Sequence, residues 1–104
     1  MIGDITPKFS VIVKLIDDLV VLEFAREIDA DVLADLAKLR SHPAIKKCVD
    51  QSTRSLFFIK DSYEPKKIAE AISKSLEDKH GFEVRRMLYG STGYKDVHCF
   101  TEVK

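Results

Sequence analysis

The fold is decided by a stretch near the start of the chain, Asp17-Asp18-Leu19-Val20-Val21-Leu22-Glu23-Phe24. Its two aspartates form a short polar break, and the segment behind them is almost wholly apolar. The segment before it, residues 8–16, alternates apolar and polar side chains, which is the pattern of a half-buried β-strand. Two strands joined by a two-residue polar break predict a β-hairpin.

The remaining elements are predicted from start and stop signals. A first helix begins after Asp29, a favourable N-terminal cap, and ends before Pro43, because the residue before a proline avoids helical geometry. A second helix begins at Glu64-Pro65 and ends at Gly81, since proline suits the first turn and glycine suits a left-handed stop. Further strands are predicted at residues 45–49, 55–60, 82–89 and 97–103.

This order of elements, ββαββαββ, predicts an α+β two-layer sandwich in which two helices cover one face of an antiparallel sheet. The 104 residues suit a single domain with one core. An offset of 36 residues lays Val20-Val21-Leu22 on Leu56-Phe57-Phe58. We therefore predict a pseudo-repeat of residues 9–40 and 45–80, followed by a C-terminal hairpin of residues 82–103.

From Leu33 onward the chain resembles the heavy-metal-associated domain. The resemblance rests on Val49-Asp50-Gln51-Ser52-Thr53-Arg54-Ser55-Leu56-Phe57, on Ile68-Ala69-Glu70-Ala71-Ile72 and on Gly81-Phe82-Glu83-Val84. It implies a ferredoxin-like antiparallel sheet, here with added edge strands. That family binds its metal through two cysteines before the first helix, and the corresponding segment Phe24–Asp31 contains none. The resemblance therefore implies a fold without metal carriage, and no cofactor is expected.

The composition is that of an ordinary globular protein, with 45% hydrophobic and 33% charged residues. The 17 basic residues balance 17 acidic ones, so no whole-protein field attracts nucleic acid or an anionic membrane. We see neither a leader-like N-terminus nor an apolar run long enough to cross a membrane, and we expect a cytoplasmic protein. Cys48 and Cys99 are expected to be thiols, and a disulfide between them requires neighbouring strands.

The second and fourth strands are apolar on both faces. A sheet with one solvated face should instead alternate apolar and polar residues. Because two helices can cover only one face, we expect something else to cover the other. We take the candidate interaction face to be Val20, Leu22, Phe24, Phe57 and Ile59, with the set of side chains that points the opposite way as the alternative.

Three coverings of that face are open: a second copy of the chain, another protein or a ligand, or long polar side chains with the last hairpin. The leading hypothesis is a non-catalytic binding module that forms a homodimer through this face. One alternative is a small enzyme with a pocket between helices and sheet or at a dimer seam, as in dimeric α+β barrels. Another is nucleic-acid binding through a basic patch of Lys46, Lys47, Arg54, Arg85 and Arg86.

Sequence motifs for metal binding and for catalysis are missing. His42, His80 and His98 have no ligand partner at helical or hairpin spacing. No nucleophile-elbow motif occurs, and Gly90-Ser91-Thr92-Gly93 lacks the lysine and the following helix of a phosphate-binding loop. We therefore predict no catalytic residue and no metal-binding residue.

Overall fold

The structure, a computed structural model, describes residues 10–90 and 93–100. The α+β class with two helices and one sheet is confirmed. The predicted strand residues Lys8, Phe9 and 101–103 lie outside the described residues. The chain runs through β1 (Ser10–Ile16), β2 (Leu19–Phe24), α1 (Ala30–Leu39), β3 (Ile45–Asp50), β4 (Arg54–Ile59), α2 (Pro65–His80), β5 (Glu83–Gly90) and β6 (Gly93–Val97).

The strands form one sheet in the order β3-β4-β2-β1-β5-β6. β1 and β5 are parallel, and the other neighbouring pairs are antiparallel. The prediction of an antiparallel ferredoxin-like sheet is therefore wrong in this respect, because the sheet is mixed. The cause is the β1–β2 hairpin, in which Asp17 adopts a left-handed conformation (φ 55°) and the tight turn folds β1 onto one side of β2. β5 then returns from α2 to the outer side of β1, so β1 is an interior strand.

The last strand is shorter and earlier than predicted. β6 spans Gly93–Val97 instead of residues 97–103, so the hairpin with β5 closes sooner. Gly90 pairs directly with Gly93. The sequence hid this strand because its first four residues are exposed at the sheet edge and show no apolar alternation.

One hydrophobic core lies between the sheet and both helices. Val32 and Leu36 of α1 and Ile72 and Leu76 of α2 are buried against the strands. α2 stops at Gly81, whose φ of 72° is a left-handed value that glycine adopts without strain. Both helices therefore cover the same face of the sheet.

The five side chains predicted to form the interaction face lie in this core. Val20, Leu22, Phe57 and Ile59 have no exposed surface and Phe24 is 7% exposed, because all five point toward the helices. The prediction that they form the uncovered face is wrong for this reason. The side chains that alternate with them along the strands occupy the uncovered face instead.

In the strands, the same alternation does not match the 36-residue offset of the pseudo-repeat, which stays a prediction. Val20 and Leu22 share their face with Ser55 and Phe57, which lie 35 residues later in the chain. An offset of 36 places Val20 on Leu56, which points to the opposite face. A shift of one residue along a strand exchanges its two faces. In the helices, the offset of 36 still lays Val32 and Leu36 on Ile68 and Ile72, which belong to the core or pack against it.

The two cysteines are too far apart for a disulfide. Cys48 is in β3 at one edge of the sheet, and Cys99 follows β6 at the other edge. With neighbouring strands about 4.8 Å apart, the two edges are separated by about 24 Å, far beyond the reach of a disulfide.

Candidate functional site

The face of the sheet opposite the helices is called the helix-free face, because no helix of the described residues covers it. Its side chains form three rows that cross the strands. The aromatic row consists of Lys47, Phe58, Leu19, Ile16, Tyr89 and Tyr94. The middle row consists of Val49, Leu56, Val21, Lys14, Met87 and Asp96. The charged row consists of Arg54, Glu23, Ile12 and Arg85.

The aromatic row crosses the whole sheet. The ring centroids of Tyr89 and Tyr94 lie 5.2 Å apart, and Tyr94 is 57% exposed. The Lys47 ammonium lies 5.9 Å from the centre of the Phe58 ring, within the range of a cation–π contact. The row therefore presents aromatic and aliphatic surface with one cation at its β3 end.

The charged side chains of the helix-free face pair with one another. The Lys14 Nζ donates to Glu23 at 2.9 Å, and Arg54 lies 3.6 Å from the same carboxylate. The hydrogen bond to Glu23 raises the pKa of Lys14. Arg85 donates to both oxygens of Asp96, at 3.0 and 2.8 Å, and this lowers the pKa of Asp96. Most of the charge on this face is thus neutralised within the face itself.

The predicted nucleic-acid patch is divided by the sheet. Lys47, Arg54 and Arg85 lie on the helix-free face, in β3, β4 and β5. Lys46 is exposed beside an irregularity in the pairing of β3 with β4. Arg86 points to the opposite side of the sheet, where it is buried. A single patch of all five residues therefore does not form, because neighbouring residues of a strand point to opposite faces.

Arg86 instead joins β5 to α2 through two carboxylates. Its guanidinium donates to Glu70 at 2.8 and 3.0 Å and to Glu77 at 2.8 and 3.0 Å. Glu70 also accepts the backbone N–H of Phe100 at 3.1 Å. Arg86 lowers the pKa of Glu77, and Glu77 and Glu70 raise the pKa of Arg86. Because Arg86 is 9% and Glu70 6% exposed, this network holds the fold together and offers no open basic site.

A groove of about 290 Å³ runs between α1 and α2, on the side of the molecule away from the helix-free face. We call it the interhelical groove. Small side chains on α2, Ala71 and Ser75, line it where larger ones would fill the space between the helices. Its walls and floor are mainly apolar and come from Val32, Leu36, Leu39, Ile45, Ile68, Ile72 and Leu76.

One end of the interhelical groove is polar. The His80 Nε2 lies 2.6 Å from the Asp35 Oδ2, and the Lys79 Nζ lies 3.2 Å from the same carboxylate. The Lys38 Nζ lies 3.6 Å from Asp35. The hydrogen bond with His80, followed by that from Lys79, lowers the pKa of Asp35. His42, which follows the end of α1, also lines the groove. A carboxylate surrounded by cationic and imidazole groups thus adjoins an apolar channel.

Comparisons with protein-family models, with curated proteins and with solved structures find no match to this chain. Within residues 10–90 and 93–100, no three His, Cys, Asp or Glu side chains come together in a way that could hold a metal ion. No helix in the same part of the chain is long and apolar enough to cross a membrane.

Sequence reasoning missed the interhelical groove. A weak signal exists in α2, where Ala71 and Ser75 stand beside the apolar stripe of Ile68, Ile72 and Leu76. Small residues at such positions leave room, but the sequence does not tell how far α1 lies from α2. The groove becomes visible only when both helices are placed on the sheet.

Proposed function

We propose that this protein is a binding module that forms a homodimer by packing its helix-free face against that of a second copy. The supporting observation is the continuous set of incompletely buried apolar side chains on a face that no described helix covers. An apolar patch of this extent favours an interaction surface, whereas scattered exposed apolar residues need no explanation. The set comprises Ile16, Leu19, Val49, Leu56, Phe58, Tyr89 and Tyr94.

The apolar surface is large enough to drive such a contact. Full burial of a Leu or Phe side chain contributes about 1.5–3 kcal/mol, so one that is already mostly buried has about 0.5 kcal/mol still to gain. A two-fold contact covers the same patch on both copies. Six such side chains and the more exposed Tyr94 from each copy would then contribute about 8 kcal/mol, which is comparable to the 4–15 kcal/mol that association costs.

The distribution of charge favours a second copy over a strongly charged partner. The helix-free face carries both signs, with Arg54 and Arg85 against Glu23 and Asp96. A two-fold contact between identical faces can place positive groups of each copy near negative groups of the other. A partner of one dominant charge would meet like charges somewhere on this face.

The homodimer is tested by placing a charge at the centre of the face. In Leu56→Lys, the new ammonium would lie between Val21 and Val49 of the middle row. A two-fold contact loses one Leu side chain from each copy and must desolvate two charges. We expect self-association to weaken at least about 100-fold, because roughly 3 kcal/mol or more is lost. Sedimentation velocity and equilibrium over a range of concentrations measure this change.

The matched control is Leu33→Lys, which makes the same change at a residue of α1 that is 41% exposed. It should leave self-association unchanged, since α1 lies on the opposite side of the sheet. A wild-type protein that stays monomeric at high micromolar concentration would contradict the homodimer. Equal weakening by both variants would show that the helix-free face is not the contact.

A second candidate function is the binding of single-stranded nucleic acid to the aromatic row. It is favoured by Phe58, Tyr89 and Tyr94, which lie on a helix-free sheet face where sheet-based RNA readers stack bases. Lys14 lies 5.9 Å from the centre of the Tyr89 ring, although its ammonium is already paired with Glu23. The pairing of Arg54 and Arg85 with acidic residues weighs against it, which makes it the second candidate.

We expect the double variant Tyr89→Leu/Tyr94→Leu to weaken any such binding about tenfold or more, because each stacked base contributes roughly 1–3 kcal/mol. The measurement is fluorescence anisotropy with single-stranded RNA and DNA of 20 nucleotides at several salt concentrations, since binding to phosphates weakens as salt rises. Tyr63→Leu, outside the sheet and 37% exposed, is the control. Absence of binding at low salt would remove this candidate.

We also propose that the fold is a variant of the ferredoxin-like plait in which β1 has entered the sheet. Two features support this. The segments β2–α1–β3 and β4–α2–β5 each connect two strands that run in the same direction and are not neighbours. In a simple plait β5 would pair with β2, and here β1 stands between them. On this proposal the resemblance to the heavy-metal-associated domain concerns the sheet and helices alone.

A further inference from the structure

We propose that the interhelical groove binds a small amphiphilic carboxylate, with its hydrocarbon tail between α1 and α2 and its head group at Lys38 and Lys79. The site is independent of the helix-free face, because the sheet separates the two. The proposal rests on the shape of the groove, on its apolar lining and on the charges at one end.

The apolar part of the groove fits a hydrocarbon tail. Its volume is about 290 Å³, near the lower end of ligand pockets in proteins. A water molecule takes up about 30 Å³ in the liquid, so the groove has room for about ten non-hydrogen atoms of comparable size. Leu36, Leu39 and Ile72 are among the aliphatic side chains that line it. A straight chain of about ten carbons would replace water along these walls.

The polar end has more positive than negative groups. Lys38 and Lys79 both approach Asp35, at 3.6 and 3.2 Å, and His80 is hydrogen-bonded to the same carboxylate. Among the side chains that line the groove, one carboxylate thus faces two ammonium groups, and the Asp31 carboxylate, 3.8 Å from the His80 Nδ1, is 76% exposed and outside the lining. An anionic head group would balance the two lysines of the lining. The side chains of Lys38 and Lys79 are 76% and 58% exposed, so they can turn toward a head group at the mouth of the groove.

His80 fixes the position of this charge cluster. Its side chain is 9% exposed, and its ring packs edge-on to Phe82 with 6.4 Å between centroids. Its hydrogen bond to Asp35 holds the end of α2 beside α1. The mouth of the groove is therefore formed by a rigid pair, Asp35 and His80, flanked by two flexible lysines. Because its lining holds two lysines and one carboxylate, such a mouth suits an anionic head group better than a cationic one.

The probe is decanoate, compared with decan-1-ol and decylamine, which share its chain and differ in the head group. NMR titration of the ¹⁵N-labelled protein should give saturable shifts at groove residues for decanoate, with a Kd below about 1 mM. Decan-1-ol should bind about tenfold more weakly, and decylamine more weakly still. Equal affinity for all three would overturn the assignment of an anionic ligand, and no saturable binding of decanoate would overturn the site.

Two groups of variants separate the tail site from the head-group site. Ala71→Phe and Ser75→Leu fill the groove from exposed positions of α2 and should abolish binding of decanoate. Lys74→Phe, in the same helix but outside the groove, is the control for an added aromatic ring. Two filling variants are used so that misfolding of one, recognised by its NMR spectrum, leaves the other to decide.

The head-group variant is Lys38→Gln/Lys79→Gln, which should weaken decanoate about tenfold and leave decan-1-ol unchanged. Its control, Lys66→Gln/Lys67→Gln, removes the same charge from the start of α2, away from the groove. If both double variants weaken decanoate equally, the effect comes from overall charge and the head-group assignment is wrong. If the filling variants bind decanoate like the wild type, the ligand lies elsewhere.

Discussion

Replacement of Arg86 by leucine is expected to lower the free energy of unfolding by about 3–5 kcal/mol, the usual effect of removing one partner from a buried ion pair. The guanidinium makes four hydrogen bonds to Glu70 and Glu77. Without it Glu70, which is 6% exposed, would keep a buried negative charge with only the Phe100 N–H as a partner among those described. Urea denaturation of the two proteins, with equal m values as a check on two-state behaviour, measures the difference.

The neighbouring Arg85 provides the control. It also forms a doubly hydrogen-bonded pair with a carboxylate, that of Asp96, but the two side chains are 60% and 53% exposed. Water screens exposed pairs, so Arg85→Leu should change stability very little. Similar losses in the two variants would mean that burial does not distinguish these arginines, and the account of the Arg86 network would fail.

The dependence of stability on pH provides a second test of the Arg86 network. Arg86 lowers the pKa of Glu77 below its ordinary value of 4.5 in the folded protein. The stability from this shift is fully present above pH 4.5 and disappears as the pH falls through the lowered pKa. In Arg86→Leu that contribution of Glu77 is missing. The gap in stability between wild type and variant should therefore narrow below about pH 4.5.

The double variant Arg86→Leu/Glu70→Leu distinguishes two causes of the lost stability in Arg86→Leu: an uncompensated buried charge and a loss of packing. Replacing both members of a buried pair by apolar side chains is often neutral or stabilising. The double variant should thus recover much of the stability that Arg86→Leu loses, with Glu77 free to turn into solvent because its side chain is already 34% exposed. No recovery would indicate that the shape of the Arg86 side chain matters more than its charge.

The elements of this fold follow from local signals in the sequence. The helix starts near Asp29 and Pro65 and the stop at Gly81 depend on neighbouring residues alone, and the structure has them in those places. The position of β1 between β2 and β5 depends on which of two strands, β1 or β5, pairs with the free side of β2. No local pattern in the sequence predicts that choice. β6 was misplaced because an exposed edge strand needs no apolar alternation.

The register of the β1–β2 hairpin, which the sequence predicts, indicates which face of the sheet packs against the helices. In a hairpin closed by Asp17-Asp18, Val13 lies opposite Leu22 and Leu15 opposite Val20. The alternate face of β1 carries Lys14, so the face with Val13 and Leu15 belongs in the core, and Val20 and Leu22 belong with it. Examining β2 alone conceals this, because its two faces are equally apolar.

The adjacent residues Phe57 and Phe58 test that orientation directly. Phe57→Ala should lower the free energy of unfolding by about 3–5 kcal/mol, because a ring with no exposed surface leaves a cavity among the core side chains. Phe58 is half-buried on the helix-free face, with Lys47 over its ring. Phe58→Ala should therefore cost less, about 1–2 kcal/mol, when denaturation is followed at a concentration where the chain is monomeric.

In self-association the order should be reversed, with Phe58→Ala affected more strongly than Phe57→Ala. On the proposed homodimer, Phe58→Ala removes contact area from both copies and weakens association, whereas folded Phe57→Ala keeps its helix-free face and associates like the wild type. Sedimentation at concentrations where each variant is folded measures this. Equal losses of stability would show that the sheet is oriented differently. If only Phe57→Ala loses stability and Phe58→Ala leaves association unchanged, the orientation of the sheet is confirmed and the homodimer is rejected. The two results are independent because alternate side chains of β4 point to opposite faces, one buried within the monomer and the other available for contact between copies.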